Sequence, residues 1–590
     1  MSNKSHTESI SRVFDLLPFI NQKYNRQIAF GFRRNGEWKT ISTKEYILSS
    51  ELLSYALLES GIGKGDNIVT ITPNRPEFNI VDMGLLQVGA VHVPLYTGLT
   101  DSKLFDILLE TKCRIIFVAG NTTYRKIQSL RDRLPGLEHI ITFDRVDGAT
   151  FFEDFLEQRK NLANPALLEK IKSDVQPTDP ASIIYISGAS TPINGVVLTH
   201  RNHVSNFLNY SELSHLEGNT TAVSLLPLSH SYERMINYSQ QYFGLSIYYN
   251  EKIPGMFRDF SEVKPETVVM VPLLIQRMFA TFEQNSIQSS PSLRRLISGA
   301  IKAAKRKVPG KPSSLPDWFA IRLAGWFVFP GWRKALGGRI RVILCGGAAL
   351  NPELLNLSLA AGITIYEGYG LTEAGPLVSY NINTGFRKYT VGKPMPGVEI
   401  KIAPDGEVLV KSPSIMPGYY KKEEESRKVI DEEGWLHTGD LGKMDSEGFL
   451  TLTGVKKEIF KLSSGLYVSP AVIEEKLKQS PLIRQAWVYG HNREYLAAIL
   501  IPDFDEIAVQ FSGLAGMADP GKLPIIDSII PELEGEIKKY NNQGRGPDQI
   551  VKFALVADEW TLENGLLNES GDLNRQKLLQ FYHDRIVSLY

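Results

Sequence analysis

Residues 183–199 read IIYISGASTPINGVVLT. An apolar run enters Ser-Gly, small residues follow, and Gly-Val-Val leads towards a helix expected from His200. Such a turn can offer backbone N–H groups and hydroxyls to phosphate oxygens. A loop built for a triphosphate normally also carries a lysine, and here that place holds Asn194. The stretch alone therefore admits three readings: a working nucleotide loop, a retired one, or a plain turn.

Working outward, strand-like runs (NIVTIT, AVHVPLY, RIIFVAG) alternate with helical periodicity (YILSSELLSYALLESGI) from about Thr43 to Thr150. Alternation of this kind predicts βαβ units around mostly parallel sheets. It returns through TVVMVPLLIQRMF and RIRVILCGGAAL. After residue 390 the texture changes to short strands and glycine turns, with Pro404-Asp405-Gly406 between two alternating runs. Beyond Gly454 a smaller α+β region follows, with a helix near 470–479, a strand pair in QAWVYG and LAAILIP, and a terminal helix from about 573. The expected fold is α/β, with a large domain over 1–453 carrying a β-rich subdomain and a small α+β domain over 454–590.

The bulk numbers exclude several classes. The 590 residues exceed one core, and 65 basic against 65 acidic side chains give no global field for nucleic acid. Two cysteines, Cys113 and Cys345, argue against a disulfide framework and for a reducing, cytoplasmic setting. The N-terminal stretch lacks a signal-peptide core, and no apolar run reaches the roughly 18 residues of a spanning helix. One segment stands apart: residues 294–334 hold ten Lys/Arg, the single acid Asp317, and Trp318, Trp326 and Trp332. Either it docks on an anionic membrane surface, or it is a helical subdomain with its tryptophans packed inward.

Four further stretches arrive in order: SLLPLSHSYERM (224–235), CGGAAL (345–350), YEGYGLTE (366–373) and GWLHTGDLG (434–442). Each alone has a plain structural explanation. Together, the sequence resembles AMP-forming long-chain acyl-CoA synthetases, in the superfamily that also holds luciferases and peptide-synthetase adenylation domains. The resemblance runs from about residue 13 to the C-terminus. It implies that a fatty carboxylate attacks the α-phosphate of Mg-ATP to give acyl-adenylate. A mobile small domain then rotates and coenzyme A takes the acyl group, with no nucleic-acid partner.

By the same resemblance, Ser187, Gly188 and Ser190 face phosphate. Gly347, Ala348 and Ala349 line the adenine pocket, Tyr369 stacks on adenine, and Gly370 belongs to the same nucleotide site. Thr372 meets the α-phosphate, Glu373 holds magnesium, Asp440 receives the ribose hydroxyls, and His230 gates the acyl tunnel.

The departures fall mainly on cations. The loop lysine is Asn194, the hinge arginine is Val455, and the lysine that bridges carboxylate and α-phosphate is Asp572. Losing one such donor costs about 2.7–4 kcal/mol of transition-state stabilisation. Three losses, if additive, approach roughly 8–12 kcal/mol of the about 8–23 kcal/mol that enzymes supply. Two expectations follow: a ligase with impaired adenylation, or a pseudo-ligase that binds acyl ligands. Lys456, Lys457, Lys461, Arg575 and Lys577 are the small-domain cations available as replacements.

Overall fold

The computed structural model describes residues 10–186, 193–213, 220–287, 291–306, 314–347, 350–381, 387–456, 460–464, 467–504, 506–507, 529–543, 549–568 and 571–590. Two large sheets form its frame. One has eight strands, in the order 418–419, 194–199, 180–186, 91–95, 67–71, 115–118, 139–142 and 150–151. The other has nine, in the order 393–394, 377–381, 365–370, 342–345, 267–270, 221–224, 246–249, 30–34 and 37–41. Their central pairs are parallel, and antiparallel strands close both edges of the nine-stranded sheet and the 418–419 edge of the other, whose 150–151 edge is parallel. That explains the unbroken apolar runs: Val91–Leu95 and Thr267–Met270 are buried at every position, as strands covered on both faces must be.

The helix expected in YILSSELLSYALLESGI spans Thr43–Glu59. The Ser42 hydroxyl accepts from the Glu45 N–H at 3.2 Å, and the Glu45 carboxylate accepts from the Ser42 N–H at 2.7 Å. This reciprocal cap fixes its start. Downstream, Glu399–Ile402 and Glu407–Lys411 form a hairpin through the expected turn, with Gly406 at φ 88°. They continue into a four-stranded antiparallel sheet with Leu436–Met444 and Leu450–Val455. The β-rich region is also tied to both large sheets, because Lys393–Pro394 joins one and Gly418–Tyr419 the other.

The C-terminal part carries the helix Pro470–Leu477 and a three-stranded sheet of Ile483–Tyr489, Leu496–Pro502 and Ile550–Leu555. The terminal helix is two short ones, Arg575–Phe581 and His583–Ser588. At the junction, a Cβ on Gly454 would lie 2.3 Å from the Ser469 hydroxyl, and φ there is 152°. Only glycine fits this close approach.

Between the sheets runs the helix Ser231–Tyr242, buried along nearly its whole length. Its Glu233 accepts from the Ser224 hydroxyl at 2.6 Å, while its other carboxylate oxygen lacks a partner. Burial pushes this carboxyl up to about 8, against the opposing pull of the Ser224 hydrogen bond. A carboxyl with a raised folded-state pKa contributes stability that is whole below its unfolded value and lost as pH rises through the folded one. Wild-type protein should therefore lose stability between about pH 5 and 8 relative to Glu233→Gln, by on the order of 3–5 kcal/mol. Urea titrations of both proteins at pH 5 and pH 9 measure this; parallel pH profiles would refute it.

Candidate active site

The motif residues converge because the parallel strands of the nine-stranded sheet end on one side. His230 follows the strand Thr221–Ser224, Gly347 follows Val342–Cys345, and Tyr369 and Gly370 end Ile365–Gly370. Ligands in α/β folds bind outside the carboxyl ends of such strands. Side chains stitch the ends together. The Ser231 and Thr372 hydroxyls are 3.0 Å apart, and the Tyr369 hydroxyl donates to Asp440 Oδ2 at 2.7 Å. A Cβ on Gly370 would meet the Pro376 carbonyl oxygen at 1.9 Å, so glycine is required at that strand end. Gly347 sits at φ 92°. Ser187, Gly188, Ser190, Ala348 and Ala349 lie outside the described residues.

Asp440 is held from beneath. Glu407, itself buried, accepts from the Gly439 N–H at 2.9 Å and contacts His437 Nδ1 at 3.2 Å. The Asp440 N–H donates to the Thr438 hydroxyl at 3.1 Å. Tyr369 is buried, and burial with the neighbouring Asp440 charge drives its phenol far above its ordinary range. It therefore stays a neutral donor. Glu373 Oε1 accepts from the Tyr419 hydroxyl at 2.9 Å. His230 is exposed and faces the Tyr96 ring, 6.2 Å between centroids.

The opening stretch has a clear geometry at its flanks. Pro180–Ile186 and Asn194–Thr199 are antiparallel partners, with Ile186 opposite Asn194, and the helix His200–Leu213 follows at once. Gly-Val-Val thus lies in a strand paired with Pro180–Ile186, and the expected helix starts at His200. A residue absent from the motif reading occupies the hairpin's exit. Lys422 Nζ donates to the Ile193 carbonyl at 2.6 Å and to Asn194 Oδ1 at 2.9 Å. It arrives there because Gly418–Tyr419 pairs with Val196–Val197 and the Tyr420 N–H bonds the Gly195 carbonyl at 2.7 Å. Among the described residues both hydrogen-bond partners of the Lys422 ammonium are neutral. A partly buried ammonium with three donors and only two neutral acceptors is suited to an anion.

The expected replacement cations fare differently. Lys456 is committed to Asp405 at 2.7 Å and Glu407 at 2.8 Å, and Arg575 grips both oxygens of Glu474 at 2.8 and 2.7 Å. Lys457 lies outside the described residues. Val455 is the ladder partner of Asp440, so the hinge position lies directly across from that carboxylate. Asp572 is exposed, its N–H donating to Asn568 Oδ1 at 2.8 Å.

Comparison with known proteins agrees with this geometry. A model described as AMP-binding enzyme matches residues 20–420, and one for the AMP-binding enzyme C-terminal domain matches 457–590. Long-chain-fatty-acid–CoA ligase FadD15 of Mycobacterium tuberculosis is 29% identical over 94% of this chain and 93% of its own. The peroxisomal long chain acyl-CoA synthetase 6 of Arabidopsis thaliana is 28% identical over 94% and 82%. Among solved structures, the adenylation domain of a Mycobacterium chelonae carboxylate reductase superposes with a TM-score of 0.72 at 21% identity, covering all of this chain and 93% of that one. With matched models over both parts of the chain and a site built on the ends of these strands, the protein belongs to the AMP-binding enzyme family, in the AMP-forming acyl-CoA synthetase superfamily.

Proposed function

We propose that the protein is a fatty-acid:CoA ligase. It joins a long-chain carboxylate to the α-phosphate of ATP with loss of pyrophosphate, then passes the acyl group to the coenzyme A thiol with loss of AMP. The observation that carries this reading is the assembly of Tyr369, Thr372, Glu373, Asp440 and His230 around one row of strand ends, as set out above. Tyr369 offers a ring face for adenine and Asp440 a carboxylate for ribose hydroxyls. Thr372 donates to the α-phosphate, and His230 with Tyr96 flanks the acyl entrance. The donor set near Glu373, a carboxylate beside a hydroxyl, suits a hard cation. Magnesium held there would offset phosphate charge. Residues 1–453 act as the binding domain and 454–590 as a lid that turns between the two half-reactions. Turning of the lid requires Lys456 to release Asp405 and Glu407. A cytoplasmic site of action agrees with the two buried free thiols.

Asp572 and Val455 slow the first half-reaction, since neither lends positive charge to the phosphoryl group. The same two residues favour a second reading, a pseudo-ligase that holds acyl-adenylate or acyl-CoA. Pyrophosphate release from Mg-ATP and palmitate, with and without coenzyme A, separates the two. The ligase reading expects release that requires palmitate, with palmitoyl-CoA as product. Binding of palmitate or palmitoyl-CoA without any pyrophosphate would leave only the second reading.

A further inference from the structure

The helix Leu315–Phe327 carries a face that does not belong in water. Ser314 caps it, its hydroxyl accepting from the Asp317 N–H at 3.3 Å, and Ala324 with Ala320 and Ile321 packs inward. On the other side Leu315 is 76% exposed, Trp318 46%, Phe319 63%, Trp326 64% and Phe327 75%. These are five of the eighteen exposed large apolar side chains among the described residues, gathered in one 13-residue helix. Positions 315, 318, 319, 322 and 326 follow helical spacing and share one face. The only polar member, Arg322, lies over both indoles, 5.2 Å from the Trp318 ring centroid and 5.7 Å from that of Trp326. Trp332, by contrast, is buried, with its indole N–H on the Ser286 hydroxyl at 3.0 Å and its ring stacked on Phe282. The tryptophans of the basic segment thus divide: Trp332 packs inward, while Trp318 and Trp326 stay outside.

We infer that this helix is a docking face for an anionic lipid bilayer, with Trp318, Phe319 and Trp326 entering the headgroup boundary. Charge selects the occupant. The segment 294–334 is +9 by its ten basic residues and one acid, in a chain of zero net charge. Exposed Lys302, Arg306 and Lys334 belong to that segment. A second copy presenting the same segment would meet like charge, whereas anionic headgroups complement it. Tryptophan and arginine together are the residues that place rings at the headgroup level with a cation towards phosphate. No helix among the described residues is long and apolar enough to cross a membrane. The contact proposed is therefore interfacial, and it stands whether or not the chain is a ligase.

The test is sedimentation of the full-length protein with sonicated vesicles of phosphatidylcholine alone or mixed with phosphatidylglycerol, at low and high salt. Wild-type protein should pellet with the anionic vesicles and be released by salt. Trp318→Ser/Trp326→Ser should lower the partition coefficient by about tenfold or more, with an unchanged melting temperature because both rings are exposed. Wild-type protein left in the supernatant would overturn the inference, as would equal binding by the double variant or indifference to the anionic lipid. Self-association abolished by the same variant, without vesicle binding, would assign the face to a second copy and overturn it too.

Discussion

Lys422→Gln should lower kcat/KM for ATP by about 10²–10³-fold while leaving affinity for AMP nearly unchanged. The expectation rests on the ligase reading and on where the ammonium sits. Lys422 Nζ donates to the Asn194 side chain at 2.9 Å, so its ammonium lies beside the position where the resemblance expects a loop lysine. From there it can meet the outer phosphates, which AMP lacks. A merely structural role, bracing the Ile193 carbonyl, would weaken ATP and AMP binding alike and lower the melting temperature. Lys422→Arg should retain most of the rate, since charge rather than shape does the work. Asn194→Lys alone should gain nothing, because it would set two ammonium groups against each other. The exchange Asn194→Lys/Lys422→Asn should restore turnover. Equal ATP kinetics for wild type and Lys422→Gln would sink the assignment and leave the ligase reading intact. Asp572→Lys offers the independent arm: placing a cation there should raise the adenylation rate whatever Lys422 does.

The parts of this protein that the sequence made legible are those written in neighbouring residues. Parallel strands buried on both faces must be apolar throughout, so NIVTIT and TVVMV declare themselves. The hairpin at Pro404-Asp405-Gly406 needs a positive φ and shows the glycine that supplies it. YEGYGLTE holds ring, hydroxyl and carboxylate within five residues, and the structure keeps Tyr369, Thr372 and Glu373 together. What stayed hidden spans long stretches of chain. Asn194 and Lys422 are 228 residues apart, and nothing local in GYYKK marks its second lysine as the neighbour of that loop. Lys456 and Arg575 looked available because their partners, Asp405 with Glu407 and Glu474, are set by folding alone. The aromatic helix shows the same limit from the other side. Composition grouped three tryptophans, yet only packing could send Trp332 inward and leave Trp318 and Trp326 outside.

Long-range placement also governs the stability of the buried core. Asp82→Ala should destabilise the fold by about 3–5 kcal/mol, because it strands a buried cation. Arg234, fully buried, pairs with Asp82, and its Nε donates to the Tyr238 hydroxyl at 2.8 Å. Burial alone would raise the Asp82 carboxyl. The Arg234 charge, the His92 and Tyr238 hydrogen bonds together outweigh it and hold Asp82 far below the usual carboxylate range. His92 Nδ1 sits 2.8 Å from Asp82, and its Nε2 is 2.9 Å from the Thr70 hydroxyl. The network therefore bolts the strands Asn67–Ile71 and Val91–Leu95 of one sheet to the helix that begins beside His230. Arg234 Nη1 already lacks a partner, so the guanidinium has no reserve of hydrogen bonds when the carboxylate goes. Removing both charges in Asp82→Leu/Arg234→Met should recover a large part of the loss, since a packed apolar pair avoids the desolvation cost altogether. Urea denaturation of wild type, both single variants and the double variant closes the cycle. A coupling below about 1 kcal/mol would mean that the pair behaves like an exposed ion pair. The two sheets would then be held by packing of the helix Ser231–Tyr242 rather than by charge.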